Sequence, residues 1–450
     1  MSAPPETAPA SDEPAPYPPP AVGWAAVVVL FLLVVLSVLD RNILTLLVDP
    51  IKEDLGLSDV QMSLLYGLAF SLSYGMAAIP AGWAIDKFQR RIVIFFGVVI
   101  WSAATAFTGL ARSFEALFAA RSVVGAGEAV LSPGQQSMLT DLFPREKLAL
   151  PLSVSALGLK VGGGAALIIG GMLAAIFPPS EIMHVPFLGD LAGWHIIFIV
   201  IGLPGALMAA LIFLIPEPKR RLLKSAIPGK TPGFGEYFKL MRQHARFYFG
   251  HHLGQVAFIS VMVGVSAWAP AFFARTHGWG ETQIGLWLGS MMLWGSVIGL
   301  PIHAAIADKL FQRGVYDIHM RYSMFAALLA APIGVAAFFM SDPIIGCLML
   351  GVFFMLTSVY ASLPVVSIQA PLPSNMRGKA ASIMLIVIGT GGTICGPLVI
   401  ATLTDLVFQD TAKLNQAIAL TIGVGLPLVA ALFAISLKPT RERMAATTPV

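Results

Sequence analysis

Charged residues are scarce in this chain. They make up 12% of its 450 residues, about half the share found in a typical soluble domain, whereas 57% of the residues are hydrophobic and the mean hydropathy is +0.81. A soluble chain of this size would expose much of that apolar surface to water. The composition therefore excludes a soluble enzyme, a nucleic-acid-binding protein and a disordered protein, and it predicts an integral membrane protein.

Cysteine is also rare. Cys347 and Cys395 both lie in apolar runs, so they provide neither a disulfide framework nor a metal site. The sequence has no HExxH or GxSxG motif, and the Gly229-Lys230-Thr231 triplet lacks the upstream glycine of a phosphate-binding loop. These absences argue against a membrane-embedded enzyme, an ATP-driven pump and a bound cofactor.

Long apolar runs determine the expected fold. A bilayer core about 30 Å thick requires about 20 apolar residues per helix, and this length predicts an all-α protein with twelve transmembrane helices. The predicted spans are residues 22–48, 60–84, 91–110, 115–140, 148–177, 193–215, 247–274, 281–306, 321–341, 343–369, 379–405 and 411–437.

The ends and the middle of the chain are polar. Residues 1–21 contain eight prolines and no Lys or Arg, which predicts a disordered tail and not a signal peptide. The basic stretch 216–246 separates two sets of six spans. We therefore expect two six-helix bundles, 22–215 and 247–437, joined by this linker and followed by a tail over 438–450.

Within the linker, Phe234, Tyr237, Phe238 and Met241 share one helical face. This spacing predicts a short amphipathic helix. Two interpretations remain open at this point. The helix either lies on the membrane surface or is an ordinary linker helix.

A local repeat indicates that the two bundles arose by duplication. Residues 86–91 (DKFQRR) end the second span, and residues 308–313 (DKLFQR) end the eighth, about half the chain later. Two pseudo-symmetric six-helix bundles are typical of a secondary transporter.

Basic residues predict the orientation. Most of the 28 Lys and Arg residues lie in one set of alternate connections and in the C-terminal tail, whereas the opposite set holds only Lys52, Arg112, Arg275 and Lys413. By the positive-inside rule, both termini and the linker are cytoplasmic. Short loops and the absence of an Asn-x-Ser/Thr sequon favour the inner membrane of a bacterium.

Five charged residues fall inside predicted spans: Asp40, Arg41, Arg121, Glu128 and Lys160. A charge at mid-membrane costs about 2.5–3.5 kcal/mol on insertion scales, so such residues usually serve a function. We predict that Asp40 and Glu128 carry a proton, and that Arg41, Arg121 and Lys160 hold the negative charge of a substrate. The alternative is a set of fixed ion pairs that locks helices together.

Polar and aromatic residues elsewhere predict a cavity. Gln135 extends the polar face of the fourth span, Trp287 and Trp294 follow helical spacing in the eighth, and Tyr360 lies in the tenth. We expect these four residues to line a cavity that is cationic on its N-terminal side and uncharged on its C-terminal side. Such a cavity suits an amphipathic anion.

Charged residues at the cytoplasmic ends of the spans predict a gate. A carboxylate is favoured at a helix N-terminus and beside an arginine. Asp86 is therefore expected to meet Arg377 at the start of span eleven, and Asp308 to meet Arg145 before span five. The other residues assigned to this gate are Arg90, Arg91 and Asp141.

Two motifs resemble those of the major facilitator superfamily. Residues 82–91 (GWAIDKFQRR) resemble its loop 2–3 signature, with Gln89 at a position where the family usually has glycine. Residues 121–129 (RSVVGAGEA) resemble its span-four motif. The resemblance implies the major facilitator fold, with two pseudo-symmetric six-helix bundles.

Within that superfamily, the chain is similar to the Spinster proteins, which are proton-linked carriers of sphingolipids and lysophospholipids, including sphingosine-1-phosphate. This resemblance implies an amphipathic anionic lipid as substrate and functional roles for Asp40, Arg41, Arg121 and Glu128. The residues that carry it are Asp40-Arg41, Asp59, Gly67, Pro80, Gly82, Asp86, Trp101-Ser102, residues 125–129, Asp141-Leu-Phe, Gly396-Pro397 and Asp405.

The sequence thus predicts a proton-coupled secondary transporter that works by alternating access. Its expected partners are the lipid bilayer, a lysophospholipid or sphingolipid substrate and protons, with no nucleic acid. We expect a monomer that uses the proton gradient as its energy source and needs no cofactor. The main alternative is a proton-coupled carrier of small organic anions or drugs on the same fold, and a channel is disfavoured by the duplicated halves.

Overall fold

The computed structural model describes residues 17–144, 147–218, 220, 234–372 and 374–447. Within these ranges, eleven helical segments are long and apolar enough to cross a membrane. We number the segments by the predicted span that each one occupies. They are segment 1 (Pro20–Leu46), 2 (Asp59–Lys87), 3 (Arg90–Thr108), 5 (Leu150–Ile176), 6 (Gly193–Leu214), 7 (Ala245–His277), 8 (Glu281–Gln312), 9 (Ile318–Ala337), 10 (Pro343–Gln369), 11 (Lys379–Phe408) and 12 (Thr411–Ala445).

The fourth predicted span is not a continuous helix. It consists of two helices, Phe114–Glu128 and Leu131–Leu142, which both pack against segments 2 and 3. Pro133 accounts for the break, because its ring excludes the carbonyl of residue 129 and it has no N–H to donate. We call the two helices together segment 4. The predicted count of twelve transmembrane helices is therefore matched by eleven continuous segments in the described residues and this divided one.

Local sequence explains where several helices begin. Pro20 occupies the first position of segment 1. An N–H at this position has no acceptor within the helix, so proline loses no hydrogen bond there. At segment 2, the Ser58 side chain accepts a hydrogen bond from Gln61 N, and the Gln61 side chain accepts one from Ser58 N, which forms a capping box. Asp342 caps segment 10 by accepting from the backbone of Ile344 and Ile345.

Three segments of π-helix interrupt the α-helices that line the middle of the molecule. They are Leu64–Ala69 in segment 2, and Met384–Thr390 and Leu403–Phe408 in segment 11. Segment 6 ends in a 3₁₀ turn, Ala209–Leu214, and segment 10 contains another, Ser358–Ala361. Such irregular turns often occur at functional positions of helices.

The fold is not purely helical. Residues Ile182–Val185 and Gly189–Ala192 form an antiparallel hairpin between segments 5 and 6, with Ile182 opposite Ala192 and Val185 opposite Gly189. Gly189 has φ +80°, as the tight turn requires. The predicted all-α fold is confirmed, and this small hairpin is an addition in the connection between segments 5 and 6.

Segments 1 and 12 place the two chain ends on one side of the molecule, which we call the terminal side. The connections 47–58, 109–113, 177–192, 278–280, 338–342 and 409–410 lie on the other side, which we call the far side. The helix of segment 12 continues through Thr447, so most of the predicted tail over 438–450 is helical. Of the predicted tail over 1–21, residues 1–16 lie outside the described residues.

The linker contains the predicted helix, over Phe234–Gln243. Tyr237 is fully buried in a cluster with Phe247, Tyr248 and Ile368 of the second half, whereas Phe238 is 55% exposed. The helix is therefore docked on segments 7 and 10 by one aromatic side chain and leaves another accessible.

The two halves approach closely through small residues. A Cβ atom at Gly164 would lie 2.6 Å from Gly289 O, and one at Gly171 would lie 2.8 Å from Glu281 O, so segments 5 and 8 touch backbone to backbone. Segment 2 meets segment 11 at Gly67, where a Cβ atom would lie 3.0 Å from Thr393 O. A cavity between the halves lies next to these contacts.

Candidate functional site

An ion pair joins segments 1 and 4 beside the cavity. Arg41 NH2 lies 2.6 Å from Glu128 Oε2, and Ser37 Oγ donates to the same oxygen at 2.7 Å. The Glu128 side chain is 1% exposed and that of Arg41 is 26% exposed. The Arg41 guanidinium also lies over the Phe70 ring, 4.1 Å from its centroid. Arg41 thus has one face bound by protein and the other accessible.

Arg121 is bound differently. Its side chain is fully buried, and its NH1 and NH2 donate to the backbone oxygens of Asp40 at 3.0 Å and Arg41 at 3.2 Å. These bonds hold segment 1 against segment 4. Arg121 was predicted to hold substrate charge, but here it contacts the backbone next to the predicted proton carriers and lines neither of the cavities described below.

Asp40 points away from Arg41, as neighbouring helix positions must. It is 0% exposed, and neither carboxylate oxygen has a hydrogen-bond partner in the described part of the chain. Trp101 and Thr105 of segment 3 interact with this carboxyl. Burying a carboxylate costs free energy that few close donors offset here, and the proton role predicted for Asp40 stays a prediction.

A first cavity, of about 370 Å³, lies within the first half, between segments 1, 2, 4 and 5. Arg41, Glu128 and Gln135 line it, together with apolar residues such as Leu131 and Leu152. Gln135, which was predicted to line a cavity, also donates to Ser155 Oγ. The predicted polar face of segment 4 is thus present at Glu128 and Gln135.

A second cavity, of about 410 Å³, lies between the halves and shares Arg41 and Leu159 with the first. Lys160 lines it from segment 5, and its Nζ donates to Tyr360 Oη at 3.0 Å while lying 4.5 Å from the centre of that ring. The second-half residues that line it carry no charge; they are Ile259, Met262, Val263, Ser266, Met292, Ser296, Phe354, Ser358, Tyr360, Ala361, Gly389 and Thr393.

The two tryptophans do not line either cavity. Trp287 packs against the hydrophobic core, and Trp294 is 56% exposed. This part of the cavity prediction is corrected: the aromatic ring that faces the lysine belongs to Tyr360, because the 3₁₀ turn Ser358–Ala361 brings segment 10 to the cavity.

On the far side, a buried ion-pair cluster joins the two halves. Arg275, at the end of segment 7, donates to Asp49 at 2.6 Å and to Asp59 at 2.8 Å, and Lys52 binds Asp59 as well. Val60 N also donates to Asp405 Oδ2 of segment 11 at 2.9 Å. These contacts hold the halves together on the far side of the cavities.

Arg90, Asp141 and Arg91 do not join the two halves in the contacts described. Arg90 is fully buried and binds Asp141 at 2.5 Å and Glu217 at 2.8 Å. Arg91 donates to Ile215 O at 2.8 Å. These bonds tie together segments 3, 4 and the end of segment 6, all in the first half. The gate role assigned to these three residues stays a prediction.

The predicted contacts of Asp86 with Arg377 and of Asp308 with Arg145 involve residues that the structure describes only in part. Both carboxylates are exposed on the terminal side. Arg145 and the side chain of Arg377 lie outside the described residues, so this part of the gate stays a prediction. The backbone oxygen of Asp86 accepts a hydrogen bond from Arg220 of the linker, which bends back onto segment 2.

Sequence reasoning missed the far-side cluster. Its signal was present, because Arg275 is one of the few basic residues on the poorly charged side and the connection 47–58 carries several acidic residues. It also missed Thr105, and it named Trp101 only for the resemblance to the Spinster proteins, without predicting its contact with Asp40. Ser37, the hydroxyl donor to Glu128, lies one turn before Arg41 and was detectable by helical spacing.

Comparison with known proteins agrees with this architecture. The sequence model of the Major Facilitator Superfamily matches residues 30–397. The chain is similar to a bacterial homolog of the human lysosomal transporter Spinster, whose crystal structure is inward-facing and unoccupied. The two align with a TM-score of 0.77 at 22% identity, over 96% of this chain and 100% of that one. At this identity, the likeness establishes the fold.

Relatives with curated descriptions are transporters. An MFS-type efflux pump of Mycolicibacterium smegmatis is 26% identical over 90% of both chains. A D-galactonate transporter of Escherichia coli is 25% identical over 89% of this chain and 95% of that protein. Protein spinster homolog 3 of Danio rerio is 27% identical over 56% of this chain and 49% of that protein. The predicted resemblance to the Spinster proteins is thus confirmed, and the chain belongs to the Major Facilitator Superfamily as a multi-pass membrane transporter.

Proposed function

We propose that this transporter moves an amphipathic anionic lipid, of the lysophospholipid or sphingosine-1-phosphate class, by proton-coupled alternating access. The observation that carries the proposal is the asymmetry of the cavity between the halves. Arg41 and Lys160 supply positive charge from the first half, whereas the second-half lining is uncharged. An anionic headgroup would bind at the two cations.

The apolar lining supports a substrate with a tail. The two cavities adjoin at Arg41 and Leu159, and each has a volume in the range of small-molecule sites. Beyond the cations, part of the second-half wall is apolar; its larger apolar side chains are Ile259, Met262, Val263, Met292 and Phe354. A hydrocarbon chain placed there would remove apolar surface from water at about 25 cal/mol per Å².

Proton coupling is proposed to act through Glu128 and Asp40. Glu128 binds Arg41 while it is ionised. Protonation would cancel this ion pair, and the Arg41 guanidinium would then turn to a substrate anion. A proton and an anion would therefore increase each other's affinity by the same factor. Asp40, which is fully buried, is proposed as the second proton carrier. Arg121 is proposed to hold segment 4, which carries Glu128, against segment 1, which carries Asp40.

A second candidate substrate is a small organic anion. It is favoured by relatives whose names include a D-galactonate transporter and probable galactarate/D-glucarate transporters. The cations at Arg41 and Lys160 would hold a carboxylate of such a substrate as well. The hydroxyl groups of the second-half wall, such as Ser266 and Ser296, could bond a sugar acid, but its methionine and aliphatic side chains would have no matching group on one. That apolar part of the wall is why we prefer the lipid.

The remaining features of the proposal concern orientation and assembly. The basic residues on the terminal side support cytoplasmic termini in a bacterial inner membrane. The far-side ion-pair cluster then closes the external side. We propose that the transporter acts as a monomer and draws its energy from the proton gradient, without a bound cofactor.

The test is flux of a labelled anionic lysophospholipid in proteoliposomes, with and without an imposed pH gradient. Native protein, Asp40→Asn and Glu128→Gln are compared. Glu115→Gln is the matched control, because Glu115 is an exposed carboxylate on the same helix as Glu128. We expect gradient-driven flux in the native protein and the control, and its loss in the two site variants.

Competition separates the two substrate classes. Inhibition of flux by unlabelled lysolipids, but not by galactonate or glucarate, supports the lipid. Flux of a labelled sugar acid without lysolipid flux overturns it in favour of the second candidate. Lysolipid flux that ignores both the gradient and the variants overturns proton coupling and leaves the lipid substrate.

A further inference from the structure

A hydrogen bond crosses the cavity between the two halves. Lys160 Nζ, on segment 5, donates to Tyr360 Oη, on segment 10, at 3.0 Å, and it lies 4.5 Å from the centre of the Tyr360 ring. Both residues line the cavity. Since a cation within about 6 Å of an aromatic ring is attracted to the ring face, the tyrosine offers the ammonium two kinds of contact. Both contacts would be lost if the halves separated here.

The position of Lys160 makes this bond the terminal-side end of a row of contacts along segment 5. Gly164 and Gly171 touch segment 8 of the second half, and Lys160 lies one turn before Gly164 on the same face of the helix. Segment 5 runs from the terminal side to the far side. The Lys160–Tyr360 contact therefore joins the halves closer to the terminal side than the glycine contacts do.

Tyr360 is fixed to the second half. Its backbone oxygen accepts a hydrogen bond from Gln255 Nε2 of segment 7 at 2.7 Å, and its ring centre lies 5.9 Å from that of Phe258 on the same segment. Segment 7 also carries Arg275, which binds Asp59 on the far side. Tyr360 is thus held by the helix that provides the far-side ion pairs.

A substrate anion would compete with Tyr360 for the lysine. An ionised oxygen binds an ammonium more strongly than a neutral phenol does, because both partners then carry a full charge. The 3.0 Å between Nζ and Oη is an ordinary hydrogen-bond distance, so no oxygen atom can enter between them without displacing the phenol. Arg41, the other cation that lines the cavity, also belongs to the first half. A headgroup held by both cations would therefore draw Lys160 away from the second half.

We propose that the Lys160–Tyr360 contact is a substrate-sensitive contact between the halves: an anionic headgroup takes the ammonium from Tyr360 Oη and releases segment 10 from segment 5. The inference rests on the proposed function, since it states what the bound headgroup does to the two halves. Tyr360 is a positioning residue that holds Lys160 in the empty protein and is replaced by the substrate anion. An uncharged ligand with the same tail has no group that can replace it.

Binding measurements test the competition. Tyr360→Phe keeps the ring and removes the competing oxygen. By tryptophan fluorescence, it should bind an anionic lysolipid about fivefold more tightly than the native protein, because no hydrogen bond has to be broken first. Its affinity for a monoacylglycerol with the same acyl chain, which carries no charge, should equal the native value. Tyr316→Phe is the matched control, because Tyr316 lies in the connection between segments 8 and 9 and packs on Phe311. It should bind both ligands as the native protein does.

A double-mutant cycle provides a readout that a merely structural role would not move. Lys160→Gln should weaken binding of the anionic lysolipid and leave binding of the monoacylglycerol unchanged. When Tyr360→Phe is added to Lys160→Gln, it should produce no further change, because the phenol then has no ammonium to hold. A general loosening of the cavity by Tyr360→Phe would instead act equally with and without the lysine.

Spin labels test the contact without relying on affinity. Leu157→Cys on segment 5 and Val366→Cys on segment 10 are at exposed positions, in a background where Cys347 and Cys395 are replaced with serine. The distribution of label distances in the ligand-free protein should broaden with Tyr360→Phe. The anionic lysolipid should broaden it in the parent protein as well, whereas the monoacylglycerol should leave it unchanged.

The outcomes separate the two proposals. A native protein that binds galactonate or glucarate but no lysolipid, with tighter binding in Tyr360→Phe, overturns the lipid substrate and supports the contact. Anion binding in Tyr360→Phe that is equal to or weaker than native binding overturns the contact and leaves the proposed function. Label distances that neither the anion nor the variant changes do the same. A native protein that binds none of these anions overturns both.

Discussion

Arg275 of the second half binds Asp59 of the first half through two hydrogen bonds, NH1 to Oδ2 at 2.8 Å and NH2 to Oδ1 at 2.9 Å. The Asp59 side chain is 0% exposed and that of Arg275 is 13% exposed. A bidentate pair of this kind adds directional specificity to charge attraction. It closes the far side of the cavities, and any conformation that opens that side must break it.

The first prediction concerns this pair. Arg275→Gln should raise the population of far-side-open molecules about tenfold or more, because removing one partner of a buried charge pair costs at least about 2 kcal/mol. Distances between spin labels at Glu53→Cys and Gln283→Cys, on the far side of different halves, measure this population. The background for labelling replaces Cys347 and Cys395 with serine.

Lys413→Gln is the control for that experiment. It removes one far-side positive charge whose partner, Asp410, lies in the same half at 3.9 Å. Its label distances should match those of the parent protein. An Arg275→Gln protein with the parent distances would show that the pair does not hold the far side shut.

The second prediction concerns the ion pair of Arg41 with Glu128. Glu128→Gln should tighten binding of an anionic lysolipid about tenfold at neutral pH, because Arg41 loses a competing charged partner worth about 1.5–3 kcal/mol. Tryptophan-fluorescence titration in detergent measures the affinity. Glu115→Gln should bind as the native protein does. Weaker binding in Glu128→Gln would mean that the carboxylate itself contacts the substrate.

The third prediction concerns the ion pairs by which Arg90 connects segments 3, 4 and 6. Arg90→Gln should destabilise the protein by about 3–5 kcal/mol, since it leaves Asp141 and Glu217 without their buried cation. Thermal unfolding of the detergent-solubilised protein checks this. Arg242→Gln, at an exposed position of the linker helix, should leave the midpoint within the error of the native value. Equal unfolding midpoints for the two variants would show that the ion pairs of Arg90 do not stabilise the fold.

The fourth prediction concerns Asp317, at the terminal-side start of segment 9. Burial by itself raises the pKa of this carboxyl, but hydrogen bonds from Arg321 and Arg441 and their charges outweigh it, so its pKa lies below the usual range. Arg321 NH2 and Arg441 NH2 lie 2.7 and 2.8 Å from Asp317 Oδ2. A carboxyl with a lowered pKa in the folded state stabilises the fold at pH values above its unfolded pKa, near 3.9.

That stabilisation should be lost as the pH falls through the lowered pKa. Unfolding midpoints measured between about pH 3 and pH 6 should therefore fall less steeply with acid in Asp317→Asn than in the native protein. Asp308→Asn, an exposed carboxylate of the same half, should keep the native slope. A native slope in Asp317→Asn would show that these ion pairs do not contribute to stability.

Helical spacing predicted much of the site. The sequence placed Arg41 and Glu128 inside spans of the same bundle and singled both out as functional charges, but it did not predict that they form an ion pair. Asp40 and Arg41 diverge because adjacent helix positions point about 100° apart. The spacing did not identify the partner of each charge, since Arg121 binds backbone oxygens and not a carboxylate.

The gate shows why side-chain partners are harder to predict than helices. Arg90 and Arg313 end the Phe-Gln-Arg triplets of the two copies of the local repeat, yet Arg90 is fully buried and Arg313 is exposed. Whether such a residue is buried depends on how far the neighbouring segments extend. Arg90 is buried where the residues after segment 6 fold back over segment 3, and Glu217 binds it there.

The sequence by itself determined that this chain crosses a membrane many times as two related halves, because apolar runs of this length can satisfy their backbone hydrogen bonds in lipid only as helices. It also identified Asp40, Arg121 and Glu128 as buried charges. The tertiary structure decided the pairing of Arg275 with Asp59, the backbone contacts of Arg121 and the surroundings of Asp40. These depend on the relative positions of segments far apart in the chain, and no local pattern of residues encodes the distance between two side chains on different helices.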